Sequence, residues 1–194
     1  MVKGFFIQYK FIIPEGTPHS SYTYQKLFRA LYGYTQNVTK SNGKTYHYHR
    51  RGILSNVPYL RPGKNCVVIP QRAFTSLDNF FKTGKNPSHA WVVKGDWKAV
   101  FYMDEKVLEE AQVISSIKEQ IARLFQPSLG SEGLPDLSKL AEKARQGEAV
   151  PQEKAVPSLV EAESIINEPW FKEVYLKDKE LRKFYEDYRA LKGQ

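Results

Sequence analysis

Six consecutive residues, Tyr46-His47-Tyr48-His49-Arg50-Arg51, bring two phenols, two imidazoles and two guanidiniums together. On an extended chain successive side chains alternate between faces, so Tyr46, Tyr48 and Arg50 share one and His47, His49 and Arg51 the other. Tyrosine faces are platforms for unstacked bases, and guanidiniums hold phosphate. The first face therefore suits a single strand of nucleic acid laid across a sheet. The opposing expectation puts the tyrosines in a core and the cations in water.

The second face carries two imidazoles at i and i+2, which can share a divalent metal. Nucleases that cut single strands through a catalytic tyrosine carry this His-hydrophobe-His pattern. They also need a third ligand and a tyrosine presented on a later helix. His19 could be a third ligand. The helix expected over 104–125 has no tyrosine, and Tyr175, Tyr185 and Tyr188 lie beyond a long linker. No metal ligand and no catalytic residue is assigned on this reading, and binding is expected rather than cleavage.

Around this strand, Leu27 to Leu60 contains five Lys or Arg, two His, five Tyr and no acid. With Arg51 beside the Tyr46, Tyr48 and Arg50 face, Arg29, Lys40, Lys44, Arg61, Lys64 and Arg72 are the further cations expected to contact phosphate. From Met1 to Met103 the chain has 15 Lys/Arg against Glu15, Asp78 and Asp96, a balance of +12. From Asp104 to Gln194 the balance is −4, so the whole carries +8. Nineteen of the 26 aromatics lie in the first half. Solubility alone would not place the aromatic excess on the basic excess. An anionic membrane would also attract this half, but no basic amphipathic helix stands out.

Other chemistries find little material here. Three scattered carboxylates in the first half are poor stock for a two-metal nuclease site. There is no Gly-Lys-Ser/Thr phosphate loop, no Gly-x-Gly-x-x-Gly and no nucleophile elbow, so no cofactor is expected. The lone Cys66, in Cys-Val-Val-Ile, is expected to be a buried thiol and excludes an intrachain disulfide. No apolar run approaches a membrane span and nothing resembles a signal peptide, so a cytoplasmic protein is expected.

The elements that must position these residues read as follows. Phe5 to Ile13 is a strand bounded by Pro14. Ser20 or Ser21 caps a helix from Tyr22 towards Val38, weakened at Gly33 and ending as early as Tyr34. Ser41-Asn42-Gly43 is a turn, and Lys44 to Ile53 alternates as a strand. Cys66 to Ile69 is a short strand and Ala73 to Phe81 a short helix. Ala90 to Val93 and Trp97 to Met103 read as a hairpin. The expected class is α+β, a small antiparallel or mixed sheet with helices on one side, followed by a helical C-terminal region.

The expected division places a basic, aromatic-rich domain at 1–103. A helix for packing or assembly spans 104–125, capped by Asp104, with Val107, Ile114 and Ile121 in heptad spacing beside Ile117 and Leu124. Residues 126–157, with four prolines and three glycines, read as a linker with one helical stretch near Leu137 to Ala144. Within 158–194, a short helix covers Ser158 to Ile166. Pro169 then opens a last helix, Trp170 to Leu191, with its own heptads. These seams would either assemble a homo-oligomer, dock on a basic partner, or fold back on the basic half.

The stretches LFRALYGYTQ, GKTYHYHRRGILS and KNCVVIP, in this order over residues 1–125, give the chain an arrangement that resembles archaeal single-stranded-DNA-binding proteins of the ThermoDBP-related group. The resemblance implies a basic α+β domain joined to helices that assemble subunits, with single-stranded nucleic acid as partner. It assigns no site residues and does not account for the linker and final helix. A ribosome- or RNA-associated structural protein is the alternative. The Lys-, Glu- and Tyr-rich composition also suits a thermophile.

Overall fold

The computed structural model describes residues 1–18, 20–85, 92–125 and 136–193, with the backbone alone at 47–49. The fold is α+β, as expected. Its centre is β1 (Val2–Ile12), which pairs antiparallel with β5 (Cys66–Ile69) on one side and β6 (Lys98–Leu108) on the other. With β4 (Leu60–Gly63) beyond β5, the sheet runs β4-β5-β1-β6. Pro62 cannot donate to a ladder, which confines β4 to the edge where it is found.

The alternation of β1 divides the core in two. Phe5, Ile7, Tyr9 and Phe11 face α1 (Tyr22–Tyr32) and α2 (Phe74–Thr83), in a cluster with Leu27, Leu31, Leu77 and Phe80. Val2 and Phe6 face the other way, into a larger cluster built from α3 (Glu110–Phe125) and the C-terminal helices. These are α4 (Leu137–Arg145), α5 (Gln152–Ile166), α6 (Pro169–Val174) and α7 (Lys179–Lys192). Trp170 anchors this second layer: its indole N–H donates to the Lys3 carbonyl at 2.8 Å. A Cβ on Gly4 would lie 2.7 Å from its ring, so glycine there admits the indole. The second layer therefore folds back on the basic half, and its apolar seam (Val113, Ile117, Leu124, Leu181, Tyr188 and Leu191) is buried within the chain.

Several boundaries differ from the sequence reading, each for a physical reason. The first helix stops at Tyr32 because Gly33 takes φ +76 and turns the chain into β2 (Tyr34–Thr39). The following strand is β3 (Thr45–Arg50); it ends before Arg51, where Gly52 returns to α1. Asp104 caps no helix: pairing with β1 extends β6 through Leu108, so the boundary placed after Met103 falls inside a strand. Val107 is accordingly an exposed strand residue, not a heptad position. Helix α5 begins at Gln152 and carries Pro157 inside its first turns. The last helix is broken in two: Asp178 accepts from the amides of Glu180 and Leu181 and starts α7 afresh. Cys66 is half-buried rather than buried. The strand expected at Ala90 to Val93 lies mostly outside the described residues; Val92 forms an isolated bridge with Lys85. No helix among the described residues is long and apolar enough to cross a membrane.

Candidate nucleic-acid interface

Strands β2 and β3 form a two-stranded sheet of their own, apart from the four-stranded one. No described side chain of this hairpin is buried; Tyr34, Val38 and Tyr46 are half-buried and the rest exposed. An isolated hairpin is marginal in water, so the arm depends on its attachment. The attachment is a close backbone crossing of Gly33 and Gly52. A Cβ on Gly52 would lie 2.2 Å from the Gly33 nitrogen, and one on Gly33 would lie 2.5 Å from the Arg50 carbonyl oxygen. The Gly52 amide donates to Ser55 Oγ at 2.8 Å, while the Ile53 and Leu54 amides donate to the Ala30 and Leu31 carbonyls at 2.8 and 2.9 Å. These bonds fasten the neck to the C-terminal end of α1.

At the tip, the Lys40 amide bonds the Lys44 carbonyl at 2.9 Å around Ser41-Asn42-Gly43, with Gly43 at φ +76. The register opposes Tyr34 to Arg50, Gln36 to Tyr48 and Val38 to Tyr46. Opposed residues share a face, so Tyr34, Tyr46 and Arg50 lie on one side of the arm. Tyr34 is not among the residues expected to bind, because the sequence reading runs the helix up to or past it. The glycine before it and the β-branched Thr35, Val38 and Thr39 are the signal that marks a strand.

Arg29, Lys40 and Arg61 lie on rings. Lys40 Nζ is 4.5 Å from the centre of the Tyr46 ring, and the Arg29 guanidinium is 4.9 Å from that of Tyr34. Beneath the neck, the Arg61 guanidinium is 4.3 Å from the Tyr32 ring, which in turn is 5.5 Å from Tyr59. Tyr32 and Tyr9 join hydroxyls at 2.9 Å, and burial pushes both phenols above their ordinary range. Between Gly16 and Leu77 the sequence supplies no carboxylate to compete for these cations.

The ten residues expected at the surface divide accordingly. Arg29, Lys40, Lys44, Tyr46 and Arg50 belong to the arm or its base. Arg61 and Lys64 lie at the β4–β5 edge, Lys64 lining an open hollow of about 660 Å³ with Gln8, Lys10, Asn65 and Tyr102. Arg51 and Arg72 are tied to the second layer, Arg51 to Glu161 of α5 and Arg72 to the fully buried Glu168. Burial pushes the Glu168 carboxyl up, against the pull of Arg72. The side chains of Tyr48, His47 and His49 lie outside the described residues, as does His19, and with them the alternative in which the imidazoles share a metal. Among the described residues no three His, Cys, Asp or Glu side chains gather as a metal site.

The fold and the arm define an α+β protein with an exposed cation-and-tyrosine hairpin. Compared with family models, curated proteins and solved structures, the chain matches none.

Proposed function

We propose that this protein binds single-stranded nucleic acid with little sequence preference, and that the β2–β3 arm with its base is the receiving surface. One observation carries the reading: a hairpin with none of its described side chains buried, on whose tyrosine rings Arg29 and Lys40 rest, in a stretch of chain without a single acid. Rings capped by a cation on one side can stack a base on the other, and the same cation reaches the neighbouring phosphate. Tyr34, Tyr46 and, from its place in the sequence, Tyr48 supply the stacking faces. Arg29, Lys40, Lys44, Arg50, Arg61 and Lys64 supply positive charge along the strand. Arg51 and Arg72 do not serve it, because carboxylates already hold them. The role is binding, without catalysis.

Fluorescence titration of labelled oligonucleotides at two salt concentrations tests this. Binding should weaken steeply as salt rises, because several phosphates are neutralised together. Single strands should outcompete duplex, whose bases are unavailable for stacking. Absence of binding at low salt, or binding indifferent to salt, removes the proposal.

A further inference from the structure

We infer that the outer edge of β6 pairs antiparallel with the same edge of a second copy of this chain. β6 ends the strand order β4-β5-β1-β6, and among the described residues nothing pairs with its far side. Its register with β1 is continuous over 11 residues, from Val2↔Leu108 to Ile12↔Lys98, without a bulge. Natural edges are guarded by short length, proline, bulges or central charges. β6 has none of these over Ala99-Val100-Phe101-Tyr102-Met103. Val100 is 50% exposed, Tyr102 61% and Met103 39%, on both faces of the strand at once. Val100 and Tyr102 share the open sheet face with the exposed Gln8 and Lys10, whereas Phe101 and Met103, on the face towards α2, remain 36% and 39% exposed at this edge.

The ends of the strand say which neighbour fits. Lys98 stands at one end and Asp104, paired with Lys106 at 2.9 Å on an exposed surface, at the other, so an antiparallel copy adds a second cation to the Asp104 carboxylate. A two-fold axis through Phe101 sets Lys98 against Asp104 of the second copy and Val100 against its Tyr102. An axis through Tyr102 would set Lys98 against Lys106, and one through Met103 would set Phe101 against Glu105. Like charges directly opposed disfavour the first alternative, and the second leaves Lys98 opposite Leu108 with no charge partner. The Phe101-centred register is self-complementary and closes as a dimer with one continuous eight-stranded sheet.

Light scattering of the full chain at tens of micromolar tests this. A mass twice the 22.4 kDa of one chain is expected. Val100→Glu with Tyr102→Glu should give a folded monomer by circular dichroism, since both side chains are largely exposed and the register would bring four carboxylates together. Lys98→Asp should weaken the dimer about tenfold in Kd, and adding Asp104→Lys should restore it. A monomer at every concentration overturns the proposal, as does a dimer that survives Val100→Glu with Tyr102→Glu. A charge swap without rescue overturns the register. A monomer whose oligonucleotide affinity falls in the same double variant overturns self-pairing and assigns the edge to nucleic acid.

Discussion

The arm and the second helical layer are made of the same residue types and use them in opposite ways. In the layer, Phe125, Phe171, Tyr175, Phe184 and Tyr185 contact one another within 6.3 Å between ring centres. Five of its cations sit on carboxylates, Lys118 on Asp178, Arg145 and Lys183 on Asp187, Lys177 on Glu110 and Lys192 on Glu163, while Arg123 lies over the Tyr59 ring at 4.5 Å. In the arm the rings of Tyr34 and Tyr46 are half-buried, and Arg29 and Lys40 rest on them. The supply of acids makes the difference. Where Asp and Glu are within reach, charge closes the structure on itself. Where the chain withholds them, the charge stays available to an anion from outside.

The largest effect that would sharpen this contrast lies in the layer. Trp170→Ala removes a buried ring and its bond to Lys3, and should cost about 3–5 kcal/mol of stability in denaturant unfolding. An arm substitution should do the reverse. Tyr46→Ala should weaken oligonucleotide binding by about 1–3 kcal/mol and move unfolding by less than about 0.5 kcal/mol. A large loss of stability instead would mean that the arm is structural, and the contrast would break.

Two adjacent arginines give a finer division. Arg50→Gln should lower the salt slope of binding by about one unit. Arg51→Gln should leave the slope alone and cost about 1 kcal/mol of stability, because its partner Glu161 belongs to α5. Identical slopes for the two variants would contradict the division. The smallest effect is confined to acid. Burial alone would raise the Asp187 carboxyl, but hydrogen bonds from Lys183, Arg145 and Ser138 outweigh it and hold its pKa below the ordinary 3.8. A depressed carboxylate stabilises the fold above its unfolded pKa and loses that contribution as pH falls through the folded value. Thermal unfolding followed from pH 5 downward should show wild type falling towards Asp187→Asn below about pH 4. Curves that stay parallel would place the acid sensitivity elsewhere.

Much of this protein is decided locally and can be read without coordinates. The alternation of Phe5 to Phe11 specifies a strand with one buried face, because a side-chain period of two admits no other half-buried element. Ser21 caps α1, Pro169 opens α6, and the one helical stretch expected near Leu137 to Ala144 is α4. The basic and aromatic excess of the first half, and the Tyr-His-Tyr-His-Arg run, are legible as composition. What composition could not carry was pairing. Asp104 has the chemistry of a helix cap, yet ladder bonds to β1 keep it in a strand, since a partner strand outweighs a local preference. Tyr34 became part of the arm because Gly33 and Gly52 meet backbone to backbone, a contact between residues 19 positions apart. Alternation separates Arg50 and Arg51 onto opposite faces but does not say which of them meets an acid. Only the return of α5 gave Arg51 its carboxylate, because the sign and distance of a neighbouring charge belong to the tertiary structure alone.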